Sequence, residues 1–326
     1  MASSGTVGTT SFDTAKLIEK TYRRCGIPTG GITPELIDIA KENLFLLFQN
    51  FSNRGVNLWC VDSPILGFQD HNSDYPLPIG TIGVLSASRR RIVPLVDTIG
   101  TLTTTSVSYN LGSATIVNMV GFILSAPTTS LVIAGSSDNV TFTTYKSETK
   151  SYVAGVWYWV EITNTASMQY WSLTFPTATT VTSHSLSTSS SDSLLSLINW
   201  DDYLSLPNKR SESANPLQYS FDRQMRQLIV VWPVPNDMSN VCMILRTHRQ
   251  VQDVGSLTQT IEVPDRWLDS VLWELASMCA VEIPTVNQDR ITLCQQMAAD
   301  SLHNADREEV DGSANTLLPN IGVYNA

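Results

Sequence analysis

The sequence predicts an α+β fold: a helical bundle formed by the N- and C-terminal helices with a small β region, carrying an inserted antiparallel β-sandwich. Three observations predict it. Apolar stripes at helical spacing occur near both ends of the 326-residue chain. Between them runs a long Ser- and Thr-rich stretch in which short alternating segments recur and helix signals vanish. Neither end has enough residues to bury a core alone, so the two ends are expected to meet in space with β material looping out between them.

Taken in order, residues 1–11 are small and polar and read as an arm. Leu17, Ile18, Thr21, Tyr22 and Cys25 form one helical stripe, which Gly26 and Pro28 stop. Thr33-Pro34-Glu35 is a helix start: a capping hydroxyl, a proline in the first turn and a carboxylate at the positive end of the dipole. Ile37, Ala40, Leu44, Leu47, Phe48 and Phe51 then share one face, and Asn53-Arg54-Gly55 ends the helix. A strand-like return at Val56-Asn57-Leu58-Trp59 leads into a loop rich in Pro, Gly and Asp, then a short strand near 81–85 and the run Arg89-Arg90-Arg91.

Alternating runs at 115–124, 131–134, 140–145, 152–163 and 168–175 predict the sandwich, with an exit linker near 187–193. A second β region over 200–262 holds predicted strands at 227–232 and 241–246. Pro264-Asp265 opens a helix whose Leu268, Val271, Leu272, Leu275 and Cys279 share a face, and Pro284 separates it from a last amphipathic helix over 288–307. The expected division is 1–91 and 191–307 for the two parts of the helical core, 92–190 for the sandwich, and 308–326 for an extended tail. That tail is polar at first and carries a late apolar cluster of Leu317, Leu318, Ile321, Val323 and Tyr324.

Composition bounds the function. A formal charge of −10 argues against a general nucleic-acid binder, which needs clustered Lys and Arg to displace phosphate counterions. An acidic wall instead repels phosphate and lets DNA slide past. Five cysteines with no CxxC pair suggest reduced thiols and folding in a reducing cytoplasm. The start, MASSGTVGTTSF, lacks the basic and apolar regions of a signal peptide, and no run approaches the ~18 apolar residues of a membrane span.

No phosphate-binding loop, zinc-protease helix, nucleophile elbow or calcium loop occurs, and His71, His184, His248 and His303 are scattered. The reading is therefore of a chain that is not an enzyme and takes no cofactor or metal. Arg89, Arg90 and Arg91 are candidates for an interface with DNA or an acidic partner, or a solvated boundary before the insert. In Val156-Trp157-Tyr158-Trp159-Val160-Glu161-Ile162, alternation puts Trp157 and Trp159 on the face opposite Tyr158 and Val160. If the latter face the core, the two indoles point outward and suit a glycan or a tail fibre. Otherwise they lie beneath a loop or a neighbouring subunit.

Several of these pieces stand in a telling order: Asn53-Arg54-Gly55-Val56-Asn57-Leu58-Trp59, then Tyr75-Pro76-Leu77-Pro78-Ile79-Gly80-Thr81-Ile82, an insert, Asp202-Tyr203-Leu204-Ser205-Leu206-Pro207-Asn208-Lys209, Trp232-Pro233-Val234-Pro235, and two helices. Over residues 12–91 and 195–307 this resembles the head-to-tail adaptors of short-tailed bacteriophages, the tail tubular protein A type. The insert resembles a galactose-binding, discoidin-like sandwich through Ser136-Ser137-Asp138-Asn139-Val140-Thr141-Phe142-Thr143-Thr144-Tyr145 and Gln169-Tyr170-Trp171-Ser172-Leu173-Thr174-Phe175.

The adaptor resemblance implies a structural virion protein in the tail or neck, assembled in the host cytoplasm. It implies a homo-oligomeric ring of twelve copies that joins portal protein to the tail nozzle, and a DNA ejection channel passed without sequence-specific binding. It also implies a portal-binding role for Leu317, Leu318, Ile321, Val323 and Tyr324. A tail fibre is a further partner, and no membrane is expected. The competing reading is a carbohydrate-binding tail adhesion or receptor-binding protein, resting on the β insert and its aromatics.

Overall fold

The computed structural model describes residues 12–54, 58–163, 166–224 and 226–308. It divides into two compact units, Met1–Cys60 with Gln250–Ala326, and Val61–Arg249.

The first unit is helical. Helix α1 (Thr14–Cys25) starts where the Asp13 side chain accepts from the Lys16 amide at 2.8 Å, and stops at Gly26, which takes a left-handed φ of 90°. Helix α2 (Pro34–Arg54) begins after Thr33, whose hydroxyl accepts from the Leu36 amide. Helix α3 (Trp200–Ser205) belongs to the second unit, while α4 (Leu268–Glu282) and α5 (Gln288–Glu308) complete the first. The stripes of α1 and α2 converge on α4: Leu17, Tyr22, Leu44, Leu47, Phe48 and Phe51 share one buried core with Val271, Leu275 and Cys279. The expected meeting of the two chain ends is therefore present. Asn43 reaches Glu282 at 3.1 Å, Arg24 pairs with Asp269 at 2.6 Å, and the Arg290 guanidinium donates to the Arg24 carbonyl at 2.6 Å. All five cysteines are free and buried, and burial pushes the Cys25 and Cys279 thiols up to about 12.

The second unit contains eighteen described strands: β1 (Val61–Asp62), β2 (Ile65–Gly67), β3 (Asp74–Pro76), β4 (Thr81–Pro94), β5 (Thr98–Leu102), β6 (Ser106–Thr115), β7 (Met119–Leu124), β8 (Thr128–Ser136), β9 (Thr143–Tyr152), β10 (Tyr158–Glu161), β11 (Met168–Thr174), β12 (Val181–Leu194), β13 (Ser196–Leu197), β14 (Glu212–Ser213), β15 (Gln218–Asp222), β16 (Leu228–Trp232), β17 (Val234–Pro235) and β18 (Val241–Arg249). A seven-stranded sheet runs β1-β18-β4-β12-β7-β10, with β2 also paired to β18. A five-stranded sheet, β5-β6-β11-β8-β9, packs on its β12-β7-β10 half, enclosing Tyr109, Phe122, Ile133, Trp171, Leu173 and Leu186. This is the antiparallel sandwich. A four-stranded sheet, β13-β15-β16-β3, shares a second core with the β4-β18 half, built on Phe68, Tyr75, Ile229, Val231, Met243 and Leu245.

The large sheet is thus a wall common to both packings. The boundaries read at 91/92 and 190/191 fall inside continuous strands, where Arg91 is the partner of Ser191 in the β4–β12 ladder. The division by contacts lies instead at Cys60/Val61 and Arg249/Gln250. The supposed exit linker is strand because its serines pair along β4, and a backbone ladder does not require apolar side chains.

Candidate functional site

The alternation of residues 156–162 is as expected, and of its two possible consequences, outward or covered indoles, the covered one is found. Tyr158 and Val160 face the sandwich core and Trp157 and Trp159 take the opposite face. That opposite face is covered. Trp157 and Trp159 are only 4% and 5% exposed, and they stack on each other at 5.4 Å and 9° among Ile92, Met119 and Cys242. The outward-facing platform for a glycan or fibre is therefore corrected to a third internal core of that unit. The cause is the curl of the seven-stranded sheet, which brings β2 alongside β10 and lays Ile65 against the indoles. Two glycines make that closeness possible. A Cβ on Gly121 would lie 2.6 Å from the Trp159 ring, and one on Gly67 would lie 2.1 Å from the Trp157 carbonyl oxygen.

The arginine run is corrected at its centre. Arg90 is not available to DNA or a partner: its guanidinium clasps Asp192 through two hydrogen bonds of 2.7 and 2.8 Å and Glu161 through a third of 2.9 Å. Its side chain is 14% exposed. The carboxylates hold Arg90 protonated, and the guanidinium keeps Asp192 below the usual carboxylate range. The clasp ties β4, β12 and β10 together. Arg89 donates to the Ser193 hydroxyl at 3.3 Å, while Arg91 is exposed. Sequence reading missed Asp192 and Glu161 because they lie 102 and 71 residues away. The portal-binding candidates Leu317, Leu318, Ile321, Val323 and Tyr324 lie outside the described residues.

Two concave sites among the described residues of the second unit bear on binding. One, of about 520 Å³, is lined by Ser63, Lys146, Lys150, Trp159 and Glu161, with Glu148 and Thr149. The signal for it was legible as Lys146, Glu148 and Lys150 at alternate positions of one strand. The other, of about 440 Å³, is lined by Ser108, Asn139, Phe142, Thr144, Ser172 and Thr174. Beside it the loop Ser136–Thr141 is held by Asp138, which accepts from the amides of Val140 and Thr141 at 2.9 and 2.8 Å, lowering its carboxyl to about 2. Among the described residues, no group of three His, Cys, Asp or Glu side chains could hold a metal ion, and no helix is long and apolar enough to cross a membrane. His184 bonds Asp97 at 2.7 Å, its ring 4.3 Å from that of Tyr109 and tilted by 38°, and His71 bonds Glu212 at 2.8 Å.

No family model matches the chain, and no curated protein matches it. Among solved structures it is similar to the CBM32 of AlyQ in complex with 4,5-unsaturated mannuronic acid, at 17% identity over 30% of this chain and 98% of that one, TM-score 0.25. It is also similar to CBM32-1 from a family 31 glycoside hydrolase of Clostridium perfringens, at 11% identity over 41% and 98%, TM-score 0.24. A chitosan-binding module from Paenibacillus sp. IK-5 follows at 17% identity over 33% and 98%, TM-score 0.22. Likenesses of this size carry nothing about ligand, and the antiparallel sandwich described above rests on its own sheets and core.

Proposed function

We propose that this chain is a structural, non-catalytic connecting subunit: the head-to-tail adaptor of a short-tailed phage virion, assembling into a twelve-fold ring between portal and tail. One observation supports this most. Three of the segments that carry the adaptor resemblance, far apart in sequence, meet at the four-stranded sheet. Tyr75 pairs with Ile229, Trp232 donates through its indole N–H to the Asn208 carbonyl at 2.9 Å, and α3 packs on β15. Such convergence is what one shared architecture requires of the segments 75–82, 202–209 and 232–235.

An assembly surface lies beside these motifs. The edge strand β13 and its surroundings expose Leu194, Leu197, Trp200, Leu204 and Leu217. Exposed apolar side chains on an unpaired strand edge suit a contact with another chain. In a closed ring that chain is a second copy, meeting a different patch on its neighbour. Negative-stain imaging and mass photometry test the reading, alone and with portal-containing heads. Rings, or rings formed on portal-containing heads, are expected. A stable monomer that ignores such heads would overturn it.

The second reading, a carbohydrate-binding tail protein, is favoured by the hydroxyl-lined groove beside Asn139 and Phe142. Its test is a glycan array with the full chain and an Asn139→Ala, Phe142→Ala variant. Binding that survives in the variant, or no binding at all, would count against that groove.

A further inference from the structure

The exposed apolar corner on β13 and α3 needs a counterpart if copies meet head to tail, and the sandwich supplies one. Strand β5 pairs only with β6, so it is an edge of the five-stranded sheet. Its register sets Ile99 opposite Tyr109 and Leu102 opposite Val107. Directly opposed residues share a face of the sheet. Tyr109 and Val107 are buried in the sandwich core, so Ile99 and Leu102 point to the core side as well. Yet Ile99 and Leu102 are 56% and 55% exposed, and Val96, before β5 begins, is 90% exposed. The core-facing side of β5 has no second layer beneath it.

Sheet topology gives the reason. On the large sheet β12 lies across from β6, where the Tyr109 and His184 rings meet at 4.3 Å. The strand beside β12 is β4, and their ladder begins only at Ser187, opposite Pro94. Past Pro94 the chain leaves the large sheet, with the Leu95 amide on the Leu186 carbonyl as its last tie, and becomes β5. The stretch of chain that would have covered β5 has itself become β5, which is left as an overhanging ledge. The two edges of the five-stranded sheet are also guarded unequally. β9 carries Lys146, Glu148 and Lys150, whereas Thr98–Leu102 carries no charge. Charges on an edge strand keep other chains away, and their absence leaves β5 open to a partner.

The corner and the ledge stand at the two ends of one strand. Asp97, at the root of the ledge, bonds His184 near the start of β12. From His184 to Leu194, where the corner begins, β12 spans about 33 Å of strand. On the corner, Trp200 and Leu204 lie one turn apart on α3 beside Leu194, Leu197 and Leu217. Unlike surfaces at separate ends of one compact unit are what a head-to-tail contact requires, whereas a single self-complementary surface closes a dimer. We propose that the α3 corner of one copy packs under the β5 ledge of the next, with Trp200 and Leu204 covering Ile99 and Leu102. Resting on the ring-forming reading above, this contact names the two faces that each subunit brings to its neighbours. It removes apolar surface of both copies from water, and Trp200 supplies an aromatic anchor of the kind that dominates interface energetics.

Cross-linking in assembled rings tests the contact. Ile99→Cys and Leu204→Cys are made in separate full-length chains, mixed before assembly and treated with a short bis-maleimide, the five native thiols being buried. Mixed rings should give cross-linked dimers, and rings of either variant alone should give none. A charge exchange provides the second measurement. Ile99 and Leu204 are both exposed, so Ile99→Lys and Leu204→Asp should leave the melting temperature of the subunit unchanged. Each alone should raise the concentration needed for assembly by at least about tenfold, and both in one chain should recover most of that loss. Rings without the mixed cross-link, cross-links in rings of Ile99→Cys alone, or a double variant no better than the single ones would overturn the contact and leave the ring reading standing. A wild-type chain that forms no rings, alone or on portal-containing heads, would overturn both.

Discussion

At the residue scale, the interior of both units depends on a few side chains that tolerate little change. Leu47 is 1% exposed on the α2 stripe, so Leu47→Asp buries a carboxylate with no partner. A loss of about 3–5 kcal/mol is expected in urea melts, a large fraction of a domain's ~5–15 kcal/mol. Wild-type melting would show that this stripe is not core. Gly121→Ala should destabilise the second unit for a different reason, since its Cβ must displace the Trp159 ring from its stack on Trp157. The Arg90 clasp adds a pH dependence. Asp192 is held below the ordinary carboxylate range in the folded state, so its contribution is complete at neutral pH. That contribution is lost as pH falls from about 3.9 through the lowered folded value. Asp192→Asn should therefore lower Tm at pH 7, and the gap to wild type should narrow in acid. An equal gap at pH 7 and pH 3 would mean that the clasp acts through packing rather than charge.

At the scale of elements, the helices were legible and the sheets only partly so. Helix α1 carries both its stop signals and its stripe within a dozen residues, and the structure ends it at Cys25 before Gly26. The strand alternation of 156–162 was legible too, because it depends on one strand alone. What covers the far side of that strand was not, because it depends on a β2–β10 approach between segments about ninety residues apart. The Ser-rich end of β12 reads as linker by composition and is a strand by pairing. Charge runs mislead in the same way: three adjacent arginines on a strand alternate between its two faces, and the middle one meets carboxylates from distant segments. The buried indole core predicts that Trp157→Ala with Trp159→Ala should unfold the second unit rather than merely erase a binding surface. About 3–5 kcal/mol per indole is at stake, and far-UV and near-UV circular dichroism would report it. A variant with a native spectrum would restore the outward-facing reading.

At the scale of the whole molecule, the chain leaves its helical unit at Cys60 and returns at Gln250. Excising residues 92–190 would sever β4 and β12 and strip Ile92, Trp157, Trp159 and Glu161 from Cys242 and Arg90, leaving a damaged wall. Excising residues 61–249 follows the grain of the fold. Val61 and His248 are antiparallel partners, so the two crossings stand about 5 Å apart and a short Gly/Ser linker can join Cys60 to Gln250. The core built on Leu17, Leu44, Phe48, Val271 and Leu275 lies wholly within what remains. The excised chain should therefore show a helical far-UV spectrum and one cooperative thermal transition, whereas the 92–190 excision should lose cooperativity in its β portion. If the 61–249 excision gives a chain without a cooperative transition, the helical core is not self-sufficient and draws stability from the residues removed. If it folds, the same protein isolates the adaptor question. Truncation after Arg307 in the full chain should spare folding and abolish attachment to portal-containing heads, and truncated subunits that still attach would move the contact from the tail to the folded units.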